Sequence, residues 1–118
     1  MNDSRRGGIR WLAALCAAAA FGAGASVPEV SECLEGGDFI GNAAHARDNG
    51  IARSEFLDRM TADFAAIRSY PPDLRWFVKD DDDERFLLAA AADVFDSPVA
   101  PDRHRTSFVR ACLSRATA

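Results

Sequence analysis

The sequence predicts an all-α fold: a compact array of about four short helices, with the first and last joined by a disulfide. Three observations predict it. Apolar residues recur at steps of three and four, and no run alternates β-branched residues as a strand would. Gly, Pro and acidic clusters punctuate these runs at helix-length intervals. Two cysteines, Cys33 and Cys112, stand near opposite ends of the helical region.

Residues 1–25 read differently from the rest. Arg5, Arg6 and Arg10 make a basic start, and an uncharged run from Trp11 to Ala23 follows. The small residues Ala23 and Ala25 then provide an A-x-A cleavage site, so the stretch predicts a secretory signal peptide. The apolar run falls short of the roughly 20 residues that span a bilayer. Arg5 and Arg6 also partly match a twin-arginine signal, with Gly8 where an aromatic is usual. Leu15 before Cys16 is too large for a lipoprotein signal, so Cys16 is expected to leave with the leader. Residues 26–118 then form a single small helical domain, expected in the periplasm or outside the cell. An exported domain with two remaining cysteines predicts the bridge Cys33–Cys112.

The first helix is predicted to start near Pro28, a favoured first-turn residue, and to run toward Asp48. Val30, Cys33, Leu34, Gly37, Ile40, Gly41 and Ala44 share its apolar face. Glycines at its centre either break it near Gly36–Gly37 or let another helix approach closely. Asn49–Gly50 is a stop signal, because glycine past a helix end adopts the left-handed conformation that satisfies terminal carbonyls. Ser54 is the expected N-cap of a second helix over about Glu55–Ser69, with the stripe Phe56, Leu57, Met60, Phe64 and Ile67. Tyr70–Asp73, YPPD, ends it, and Leu74–Val78 is a short turn or extended connector. A third helix begins within Lys79–Glu84 and reaches about Phe95, with Phe86, Leu87, Ala90, Ala91 and Val94 inward. After the loop Asp96–Pro101, the last helix runs to about Arg115 with Phe108, Val109, Cys112 and Leu113 inward. An antiparallel bundle and an orthogonal array both accommodate this pattern.

Few residues point to chemistry. The acidic run Asp80–Glu84 offers carboxylates to a hard cation, but it lacks the glycine and distal glutamate of an EF-hand. A helix start explains the same acids through the dipole. His45 and His104 are expected to be solvated, and Arg47 is expected to pair across helices or to shield the core with its stem. Asp102, His104 and Ser107 share one short helix, which does not suit a catalytic triad. No catalytic residue, metal ligand or cofactor is assigned. Arg75, Trp76 and Phe77 are the candidate partner-binding residues, as adjacent aromatics cannot both face inward from a helix.

The chain has 118 residues and a formal net charge of −4, and loss of the basic leader makes the remainder more acidic. Such a surface argues against nucleic-acid partners and, with the leader removed, against stable membrane insertion. The expected partner is a protein of unknown identity.

Cys33, NAAHARDNGI (residues 42–51), AAADVFDSP from Ala90 to Pro98, and FVRAC from Phe108 to Cys112 together carry a resemblance. The layout is similar to small uncharacterised exported helical proteins of proteobacteria. That resemblance implies export, a helical fold and one cysteine pair, with no established reaction. In format, a small helical domain with one disulfide, the chain also looks like periplasmic acid-stress chaperones. The leading expectation is a non-enzymatic protein-binding or accessory module of the cell envelope. The alternatives are an acid-stress chaperone-like protein and a small metal-dependent hydrolase using the acidic run.

Overall fold

The computed structural model describes residues 27–117. The signal-peptide reading of residues 1–25, with Trp11, Cys16 and the A-x-A site, lies outside them. Four helices follow in order: α1 (Val30–Asp48), α2 (Arg53–Ile67), α3 (Asp81–Asp96) and α4 (Pro101–Thr117), with a 3-10 turn at Pro72–Leu74. No strand forms among the described residues.

α1 is continuous through its glycines. It starts two residues after Pro28, and the Glu32 carboxylate accepts the Glu29 N–H at 3.0 Å. Its end follows the stop signal: Gly50 has φ +94°. The Gly50 N–H bonds the Arg47 carbonyl and the Ile51 N–H bonds the Ala46 carbonyl, each at 3.0 Å. This paired closure satisfies two terminal carbonyls.

α2 departs from expectation at its start. Ala52 takes the cap position without a side-chain cap bond, and Ser54 lies inside the helix. The extra residues bring in Arg53, whose guanidinium pairs with both carboxylate oxygens of Asp96 at 2.8 and 3.1 Å. At α3 the N-cap is Asp80, which accepts the Asp83 N–H at 2.9 Å.

α1 packs most extensively against α4, while α3 packs against α1, and α2 lies on α3. The α1–α4 seam is close because small residues line it. A Cβ on Gly36 would sit 2.5 Å from Phe108 Cε1. The Cys33–Cys112 disulfide closes one end of the seam, with Cα atoms 5.6 Å apart. Ile40, Ala43, Ala44, Leu87, Ala91, Val94 and Phe108 make the centre of the core. Met60 and Phe64 attach α2 to it, and Phe77 and Val78 fill it from the connector before α3.

One expected face is narrower than the periodicity implies. Val30 and Leu34, expected on the inward side of α1, are 62% and 50% exposed. The buried face is carried by Cys33, Gly36, Gly37, Ile40, Gly41, Ala43 and Ala44. Leu34 is rotated about 100° from Cys33 and falls at its margin.

Candidate functional site

Aromatic side chains form a seam through all four helices. Phe95 meets Phe56, Phe56 meets Phe39, and Phe39 meets Trp76, with centroids 5.7, 6.0 and 5.9 Å apart. Trp76 lies 5.7 Å from Phe77, which lies 5.8 Å from Phe108 in an edge-on contact. Contacts at these separations add to the area the rings bury.

The three candidate partner-binding residues are placed differently. Phe77 is 2% exposed, within the core. Arg75 donates to the carbonyls of Tyr70, Lys79 and Arg68 at 2.7, 3.0 and 3.1 Å, pinning the bend between α2 and α3. Trp76 is half-buried, and its Nε1–H donates to the Glu35 carboxylate at 2.7 Å. That bond fixes the indole and leaves its apolar body facing a cleft.

The cleft has a volume of about 350 Å³ and opens where α1 and α2 each lean on α3. Phe39 and Trp76 form one side; Met60, Phe64 and Ile67 form the other. Leu87, the most buried of the group, lies deepest, and exposed Asp63 provides the polar rim. Met60, Phe64 and Ile67 were legible as an apolar stripe, but the sequence does not show that their partner surface stays open. Phe39 lies off the apolar face expected of α1; the adjacent Phe39–Ile40 pair is its signal, since two neighbouring apolar residues on a helix serve two faces.

A second cluster joins residues far apart in sequence. Arg47 donates from Nη1 to the Val94 carbonyl at 2.8 Å and from Nη2 to the Val99 carbonyl at 2.9 Å, and it pairs with Asp48 at 2.9 Å. His104 is 6% exposed, contrary to the expectation of a solvated ring. Its Nε2 accepts the Val99 N–H at 3.0 Å and lies 3.2 Å from Arg47 Nη1. Both contacts need the lone pair on Nε2, so the neutral ring carries its proton on Nδ1. Burial, and then the charge of Arg47, hold the His104 pKa below its ordinary value. His45 is exposed, as expected.

The acidic run is engaged in ion pairs and caps. Asp83 is 3% exposed and accepts from the Lys79 N–H at 3.0 Å and from Arg115 at 2.9 Å. Arg115 in turn stacks 4.4 Å from the centroid of Phe86. Glu84 pairs with Arg68, whose hydrogen bond holds the Glu84 pKa below the usual range, and Asp82 pairs with Arg85. Among the described residues no group of three or more His, Cys, Asp and Glu side chains is arranged to hold a metal ion. No described helix is long and apolar enough to cross a membrane.

No family model, no curated protein and no solved structure matches the chain.

Proposed function

We propose that the chain is an exported, non-enzymatic helical module of the cell envelope, periplasmic or secreted, that acts by binding another protein. The observation that supports this reading is the open apolar cleft walled by Trp76 and Phe39 on one side and by Met60, Phe64 and Ile67 on the other. Large apolar side chains held in an open cleft beside a fixed indole match the anchor pockets of protein interfaces. The fitting occupant is a partner segment with one or two large apolar side chains beside a basic residue that meets Asp63. The leader-like start of the sequence and the disulfide support the compartment. The test is a photo-crosslinking residue at Asp63 in the native host. A discrete adduct that weakens with Trp76→Ala supports the reading, and absence of any discrete adduct removes it.

An acid-stress chaperone-like role is the second reading, and the His104 node favours it. Acid places a proton on the nitrogen that accepts the Val99 N–H, which loosens the α3–α4 connection. Light scattering of an aggregating client at about pH 3, where carboxylates also lose charge, tests it. No protection there discards the idea. The metal-dependent hydrolase reading gains no support from the way Asp82, Asp83 and Glu84 are paired.

A further inference from the structure

We propose that a second surface, the groove between α1 and α4, docks an amphipathic partner helix whose apolar stripe is flanked by acidic residues. The groove has a volume of about 300 Å³ and is lined by Leu34, Val109 and Leu113, with Arg105, Thr106 and Arg110 along its α4 side. Val30 lies one turn from Leu34 on α1, and Val27 precedes the helix, so the apolar surface continues beyond the groove. Val27 is 58% exposed. Val30 and Leu34 are 62% and 50% exposed, and Val109 and Leu113 are half-buried beside them, so an apolar strip stays open to solvent.

The walls are fixed before any partner arrives. Leu34 and Leu113 directly follow Cys33 and Cys112, and the disulfide joins those two positions covalently. A preformed groove binds with less ordering cost than one that must assemble. A channel between two packed helices also accepts a third helix, whose side chains seat as ridges in a groove.

Charge selects the occupant. The chain carries a formal charge of −4, but Arg103, Arg105 and Arg110 place positive charge along α4. Arg105 lies 4.0 Å from Asp38, with both side chains exposed. The exposed Arg110 guanidinium forms no ion pair with a described residue. Acids flanking the partner's apolar stripe complement these arginines. Two-fold pairing with a second copy would bring the arginines of both copies into one interface, and an anionic bilayer would meet a chain of net negative charge.

This face is separate from the Trp76 cleft. Leu34 and Phe39 are about 140° apart around α1. The test uses fluorescein-labelled helical peptides with a leucine stripe flanked by glutamates or by lysines, titrated with the natively produced protein and followed by anisotropy. The glutamate peptide is expected to bind about tenfold or more tightly than the lysine peptide, a preference reversed by Arg105→Glu with Arg110→Glu. Leu34→Gln is expected to abolish binding, whereas Trp76→Ala retains it. All four positions changed are partly or wholly on the surface, and circular dichroism confirms that each variant is folded. Equal binding of both peptides, or a preference untouched by the charge reversal, overturns the proposal. A Leu34-dependent dimer in sedimentation overturns it in favour of self-association. Leu34-dependent recovery on phosphatidylglycerol vesicles overturns it in favour of a lipid surface.

Discussion

Arg47 and His104, 57 positions apart, meet with Arg47 Nη1 at 3.2 Å from His104 Nε2. Around this contact Arg47 also holds the carbonyls of Val94 and Val99, so the end of α1 secures the end of α3 and the start of α4. Val94 is near the end of α3, where helix carbonyls lack intrahelical partners. The guanidinium supplies one of the missing donors.

Acid is expected to loosen this node. The folded-state pKa of His104 is lowered by burial and by Arg47, against weaker opposition from Asp93 and Asp48. Its unfolded pKa is near 6.5, so below that pH the unfolded chain binds the proton more readily. The stabilisation is complete above the unfolded value and is lost as pH falls toward the folded one. Thermal midpoints are therefore expected to fall between about pH 7.5 and about pH 5.5. His104→Gln, which keeps an acceptor but does not titrate, is expected to flatten that slope, while His45→Gln retains it. An equal slope in His104→Gln would exclude His104 as its source.

Helix approach at the α1–α4 seam predicts different outcomes for two α1 glycines that both face α4 residues. A Cβ at Gly36 meets Phe108 Cε1 at 2.5 Å and Cζ at 2.8 Å. Phe108 is buried against Phe86 and Phe77, with centroids at 5.3 and 5.8 Å, so its ring has little room to yield. Overpacking of roughly 1–3 kcal/mol should exceed the gain in helix propensity of about 1 kcal/mol. At Gly41 the nearest atoms are 3.7 Å away, an ordinary contact. Gly36→Ala is expected to lose about 1–2 kcal/mol and Gly41→Ala to gain up to about 1 kcal/mol in urea denaturation. Gly36→Ala matching Gly41→Ala would show that the seam is looser than these distances.

These two cases mark what was legible in the sequence. The helices, the Gly50 stop and the Cys33–Cys112 pairing follow from local signals: periodicity, turn chemistry and cysteine count. The close approach at Gly36 was one of two alternatives, because a glycine cluster alone does not reveal the aromatic ring facing it. His104 was misplaced because its partners are Val99 and Arg47, and no repeat on α4 reports a donor arriving from α1. The inward placement of Val30 and Leu34 failed for the converse reason. Periodicity identifies an apolar face without saying how far around the helix its neighbours reach. At the cleft, Trp76 was visible as a candidate, whereas its bond to Glu35, 41 positions away, required the fold.

The disulfide should contribute a large part of the stability of this small domain. It links positions 79 residues apart. Closing such a loop in the unfolded chain is worth about 4.5 kcal/mol in the chain-entropy model. That compares with roughly 5–15 kcal/mol for a whole domain. Urea titrations with and without reductant are expected to differ by several kcal/mol, about 2–5, with Cys33→Ala matching the reduced protein. A reductant-independent midpoint would show that the bridge is not formed in the native molecule.

The acidic run offers the sharpest contrast, because Asp82 and Asp83 are neighbours with different environments. Asp83 is buried and holds both the Lys79 N–H and Arg115, whose guanidinium also lies on Phe86. Asp83→Ala leaves that cation without its partner and the amide without its acceptor, a loss of about 3 kcal/mol. Asp82 is exposed and pairs only one turn away with Arg85, so Asp82→Ala is expected to cost about 0.5–1 kcal/mol through the pair and the helix dipole. Chemical denaturation of both variants measures the difference. If the run instead served as a cation site, calcium would raise the thermal midpoint of the native protein and either substitution would cancel the rise. The geometry predicts the other result: no calcium-dependent shift, and a stability gap between the variants that follows burial, because the Asp83 carboxylate already has its counter-ion in Arg115.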